Sequence, residues 1–163
     1  MRAVSDTSPL SNLASIDRLP LLQAQFSEIF IPQAVERELA AHPDPAARAR
    51  IQAAMQEGWI KPAVADDSPL LKLLLQQLHR GEAEAIALAI QIQADMVVID
   101  EQEGRELASQ AALSVIGVLG ILLRAKRTGQ LSAIKPEIDA LRVKARFYVA
   151  ASLEAKILAA AEE

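Results

Sequence analysis

The chain predicts a three-layer α/β/α fold: a five-stranded parallel sheet flanked by helices, with extra helices at the C-terminal end. Two patterns carry that prediction. Short apolar segments alternate with helical ones and are joined by short turns, as right-handed crossovers between parallel strands require. The clearest strand, Met96-Val97-Val98-Ile99, is apolar throughout, as in a sheet covered on both faces.

In order, Ala3-Val4 predicts a short buried strand that runs into Asp6-Thr7-Ser8-Pro9, where proline opens a helix. Apolar positions from Leu10 to Leu22 recur at helical spacing and are interrupted by Pro20, so two short helices are expected there. Residues 28–31 read as a second strand, and Pro32 then opens a helix that the His42-Pro43-Asp44-Pro45 turn ends. Alanine-rich residues 46–57 form a helix stopped by Gly58, and 59–61 a third strand. Helices are expected at 70–78 and 82–93, the second apolar nearly all round and hence buried on more than one side. After the fourth strand at 96–99 come a polar helix at 102–111, a fifth strand at 113–116 and a helix from Gly117 to Thr128-Gly129. Helices at about 136–145 and 152–162 complete the chain, joined by Phe147-Tyr148-Val149 as a small strand or an extended link. No repeat or long linker divides the 163 residues, so one domain is expected, with a core over 1–129 and a helical extension over 130–163.

Composition limits the chemistry. With no cysteine and only His42 and His79, thiolate and histidine-rich metal sites are excluded, and both histidines are expected to be structural. A bound metal would be a hard cation held by oxygens. No signal-peptide pattern or membrane-length apolar run is present, so the expectation is a cytoplasmic protein with no membrane partner. The net charge of −4 is uneven: residues 1–123 carry −7, 124–146 carry +5 and the tail −2. A polyanion would therefore meet the basic segment. Trp59, Phe147 and Tyr148 are expected in the core.

Asp6 and Asp100 share a local setting, each between an apolar strand and a helix. Were the first and fourth strands neighbours at the switch point of the sheet, the two carboxylates would face one crevice. Glu38 lies at the edge of the apolar stripe of its helix, whereas Glu36 is expected to turn toward solvent. Glu82 falls in register with Ala85, Ile86 and Ala89. Each acid alone also serves as a helix cap, a partner of a helix dipole or a surface group. Together they repel, by about 4 kcal/mol for two charges some 4 Å apart at an effective dielectric near 20, and require a divalent cation or partial protonation.

The segments VSDTSPLSNLA, IPQAVEREL, GEAEAIALA, VVIDEQEGR and VIGVLGILLRAKRTG, in this order, resemble the PIN-domain family, especially its VapC-like toxin ribonucleases and their uncharacterised prokaryotic relatives. The resemblance covers roughly residues 3–129. It implies a five-stranded parallel sheet, an acidic pocket for Mg²⁺ or Mn²⁺, and endoribonuclease activity on single-stranded RNA. Matched residue by residue, it implies Asp6, Glu38, Glu82 and Asp100 as catalytic acids, with Asp6, Glu82, Asp100 and Glu101 as metal ligands. Glu84 is a close rival of Glu82, and Asp100 and Glu101 compete for the fourth place. Thr7 or Ser8 stands where a hydroxyl supports the first acid. The chain departs from many PIN nucleases, which have Asp as the third acid and a Thr before the fourth. VapC-like proteins are usually toxins neutralised by a small antitoxin.

Outside that resemblance, Arg124, Lys126 and Arg127 are candidates for holding RNA phosphates. The apolar helices at 70–78 and 152–161 offer a homodimer or antitoxin surface, though ordinary core packing explains them as well. The rival function is a catalytically silent PIN-like module that binds RNA or protein. Other acidic-pocket folds fit less well: a phosphotransfer receiver wants paired acids at Ser5-Asp6 and a lysine at Gly117, and a dehalogenase-like phosphatase wants an aspartate at Ser8.

Overall fold

A computed structural model describes all residues, 1–163. Its five parallel strands are β1 (Arg2–Ser5), β2 (Glu28–Pro32), β3 (Ile60–Ala63), β4 (Met96–Val98) and β5 (Val115–Ile116), in the spatial order β3-β2-β1-β4-β5. The helices are α1 (Thr7–Ser15), α2 (Pro20–Gln25), α3 (Gln33–Ala40), α4 (Pro45–Gln56), α5 (Pro69–Leu74), α6 (Arg80–Gln91), α7 (Gln102–Gln110), α8 (Val118–Arg127), α9 (Lys135–Lys144) and α10 (Ala151–Ala160). No helix is long and apolar enough to cross a membrane.

The sheet divides the interior in two, and strand alternation assigns side chains to the halves. Ala3 and Val98 enter a core with Leu10, Leu13, Phe26, Ile29 and Leu122, while Val4, Val97 and Ile99 enter another with Ile86, Leu88, Leu74 and Ala108. Covered on both faces, the central strands carry no polar alternation. The nearly all-round apolar character of α6 follows: Gly81 to Ala89 are all buried, Glu82 and Glu84 among them.

β1 pairs with β2 on one side and β4 on the other, Ser5 standing opposite Val98. The chain leaves β1 toward β2 and leaves β4 toward β5, so the switch point lies between β1 and β4. In such sheets the crevice beyond the carboxyl ends of these strands is the usual ligand position.

The C-terminal helices are tied into the first core rather than hanging from it. Ile134, Ile138, Leu141, Val149 and Ala161 are buried with Leu10 and Leu13. Arg18, after α1, grips Glu137 of α9 through two bonds of 2.9 Å. Glu163 folds back to accept from the backbone N–H of Ile134 at 2.7 Å and of Lys135 at 3.2 Å, supplying the N-terminal cap that α9 lacks locally.

Residues 147–149 form no strand and are an extended link, one of the two forms expected. Two sequence expectations change. Trp59 is buried and Phe147 half-buried, as core residues should be, but Tyr148 is 85% exposed. Glu36 is half-buried and Glu38 exposed, the reverse of the expected order, because the end of α3 projects over the carboxyl edge of the sheet, where the cleft is open.

Candidate active site

Beyond the ends of β1 and β4 lies an open cleft of about 380 Å³ with no hydrophobic residue in its wall. Asp6, Glu38, Glu82 and Glu101 all line it, with Thr7, Ser8, His79, Arg80 and Gly81. The local reasons are simple. Asp6 is the residue between β1 and α1, and its N–H donates to Val98 O at 3.0 Å, which fixes it against the end of β4. Glu101 holds the equivalent position before α7. Glu38 comes from the last turn of α3 and Glu82 from the first turn of α6, two helices packed on each other.

Gly81 permits the close approach. A Cβ there would stand 3.1 Å from Asp6 Oδ1 and 3.3 Å from Glu38 Oε1, so both oxygens crowd the same point. Thr7 Oγ1 donates to Glu38 Oε2 at 2.6 Å. The hydroxyl therefore orients the second acid rather than the first. Glu82 Oε2 accepts from the N–H of His79 at 3.3 Å, and its Oε1 lies against Gly104 of α7, 3.2 Å from where a Cβ would stand.

Asp6 is 4% exposed. Burial pushes its carboxyl up to about 7; the N–H of Thr7 opposes that rise, and the charges of Glu82, Glu38 and Glu101 reinforce it. Burial likewise raises Glu82 above the usual carboxylate range despite its bond from His79, with Glu101 adding to the effect. No cation answers the cluster: Arg80 directs its guanidinium to Glu84, at 3.3 Å.

Asp100 stands outside this cleft, in the wall of an adjoining groove. Its Oδ1 accepts from the N–H of Val118 at 2.7 Å and so caps α8, while its buried Oδ2 has no hydrogen-bond partner. Burial raises this carboxyl too, against the Val118 bond and the Arg105 charge. Glu84 is also elsewhere: it is buried, and its Oε2 accepts from the N–H of Ala34 at 3.0 Å, which anchors the first turn of α3. Of the two pairs left open by the sequence, the cleft contains Glu82 and Glu101.

The basic candidates turn toward the chain's own tail. Lys126 pairs with Glu163 at 3.3 Å, and Arg127 donates to Ala160 O at 3.5 Å; both dock the C-terminal segment. Arg124 is half-buried on the same helix, and none of the three lines the acidic cleft. His42 is structural, accepting from Asp44 N–H at Nδ1 and meeting Ser11 Oγ at Nε2. His79 and Arg80, in contrast, stand at the cleft rim, a placement the sequence reading missed. The available signal was position: they immediately precede Gly81-Glu82 at the start of α6.

The four acids offer oxygen donors only and none is paired with a cation of the chain, which fits Mg²⁺ or Mn²⁺ better than softer ions. No three carboxylate or histidine groups stand at coordination spacing in this conformation, so the acids are gathered but not drawn in around one point. A family model, DUF3368, described as a PIN domain, matches residues 2–163. No curated protein matches the chain.

Proposed function

The chain belongs to the PIN-domain family, whose members are generally nucleases that bind divalent metals, and from that premise we propose that it is a divalent-metal-dependent endoribonuclease acting on single-stranded RNA. One observation carries the reading: buried Asp6 shares a polar cleft with Glu38, Glu82 and Glu101, none of which is in an ion pair, the cleft's one guanidinium, Arg80, being paired with Glu84. A cluster of that kind has more to gain from a divalent cation than from any neutral ligand.

In this proposal Asp6, Glu38, Glu82 and Glu101 hold Mg²⁺ or Mn²⁺. When bound, such an ion activates water, polarises a phosphodiester and stabilises the leaving oxygen. The chain's own residues prepare the site. Thr7 locks one oxygen of Glu38, and the N–H of His79 steadies Glu82. Asp6, close to half-protonated near neutral pH without metal, yields its proton on binding. Asp100 acts indirectly by capping α8 beside the site.

Cleavage of labelled single-stranded RNA tests this. The expected result is cleavage in Mg²⁺ or Mn²⁺, none in chelator, and a loss of at least about 100-fold in Asp6→Asn or Glu82→Gln. Activity that survives both chelation and Asp6→Asn overturns it. The absence of three acids at coordination spacing favours a second reading, a catalytically silent RNA-binding or protein-interaction module. RNA binding without cleavage in either metal would select it. A VapC-like toxin role, with a small antitoxin and a homodimer, rests on the ordered sequence segments. Growth arrest on expression and sedimentation of the purified chain test these two extensions.

A further inference from the structure

Beside the acidic cleft runs a larger groove of about 800 Å³, walled by α7, β5 and α8 on one side and by residues 145–157 on the other. Ser8 and Glu101 line both spaces, so groove and cleft adjoin across these two residues. The groove differs in chemistry from the cleft. Its wall contains two guanidinium groups, Arg105 and Arg146, and the aromatic pair Phe147 and Tyr148.

Resting on the nuclease reading, we propose that this groove is the channel that leads single-stranded RNA to the acids, with Arg105 and Arg146 on phosphates and Tyr148 stacked on a base. Arg142 pairs with Asp139 and Glu154, and Lys126 with Glu163, but Arg146 joins none of the chain's ion pairs. Its backbone has φ of +51°, at the C-terminal end of α9 where glycine is the usual residue. The chain thus keeps a free arginine at a position its backbone disfavours. Arg105 commits one nitrogen to Ile99 O at 2.9 Å, which orients the guanidinium and leaves further donors.

Tyr148 is 85% exposed, the most exposed large hydrophobic residue of the chain, and lies two positions after Arg146. An exposed aromatic ring next to an unpaired arginine matches the alternation of base and phosphate in a single strand. A protein partner would find apolar contacts here as well, but would leave unexplained why the groove adjoins the acids. The channel also accounts for how an acidic protein meets a polyanion: local cations suffice where the strand lies.

The test uses the full chain in chelator, with binding of short fluorescein-labelled single-stranded RNA read by anisotropy. Tyr148→Ala and Arg146→Ala are each expected to weaken binding about tenfold, and Tyr148→Phe by less than about twofold. Arg146→Ala should also reduce the slope of log affinity on log salt by about one. In the cleavage assay these variants should raise KM and leave kcat near that of the parent. Unchanged RNA affinity in both alanine variants, or no RNA binding by the parent chain, overturns the proposal. Unchanged affinity with an altered sedimentation coefficient does so in favour of a protein interface. Should the binding pattern appear while no metal supports cleavage, the channel stands and the nuclease reading falls.

Discussion

Charge on Asp6 is disfavoured by burial and by three neighbouring carboxylates, so its carboxyl rises from the ordinary 3.8 to about 7. Between those values the metal-free folded state holds more protons than the unfolded chain, and stability falls as pH rises. The full effect is of order 4 kcal/mol. In chelator, Asp6→Asn should therefore be more stable than the parent at pH 8, by about 2–4 kcal/mol, with the difference closing below pH 4. Urea denaturation at several pH values measures it; an asparagine variant less stable than the parent at pH 8 contradicts the assigned environment. Gly81→Ala makes a second prediction. A methyl group there helps the helix but crowds Asp6 and Glu38 at 3.1 and 3.3 Å. Both neighbours are side-chain oxygens able to shift, so stability should change by less than about 1 kcal/mol. Metal affinity, read by thermal shift, should fall about tenfold or more.

Two carboxylates outside the cleft tie down helix starts, and one of those helices, α3, carries a cleft acid. Glu84 ties α6 to the N-terminal turn of α3, the helix that carries Glu38. Glu84→Ala should cost about 1–2 kcal/mol in denaturant unfolding, through the lost cap and the unpaired Ala34 N–H. Glu163 does the same for α9 from the far end of the chain, and Glu163→Ala should cost a similar amount, about 1–2 kcal/mol. Sequence spacing placed every helix and strand within a few residues, because period and punctuation are local properties: Pro32, Pro45 and Pro69 mark helix starts, and Gly58 a helix stop. These caps were not legible. Glu84 and Ala34 are 50 residues apart, and no local pattern links them.

For the whole molecule, a cation that binds only the folded state adds RT ln(1 + [L]/Kd), about 2.7 kcal/mol at one hundred times Kd. For a chain of this size that is a rise in Tm of roughly 5–10 °C. Mg²⁺ or Mn²⁺ should produce such a rise at pH 8, less at pH 5 where Asp6 keeps its proton, and none in Asp6→Asn. Differential scanning fluorimetry checks it, and an equal rise in parent and variant would place the cation elsewhere. The uneven charge was visible in the sequence, but the direction each basic side chain takes was not. Arg124, Lys126 and Arg127 looked alike, yet Lys126 and Arg127 turn to the C-terminal tail. Arg146, counted in the same basic segment, faces the groove instead.

The sequence by itself determined the layers, the five strands, the helix starts and three of the four acids that reach the cleft, Asp6, Glu38 and Glu82, because each follows from periodicity, a strand end or a matched segment. Only the tertiary structure decided that β1 and β4 are neighbours and that Glu101 rather than Asp100 faces the cleft. It also decided that Thr7 serves Glu38 and that Tyr148 lies outside the core. Asp100 and Glu101 are adjacent in the chain and point different ways because one is used by the N–H of Val118, on a helix that begins after the next strand. Contacts of that kind are set by packing across the sheet, and a linear pattern has no term for them.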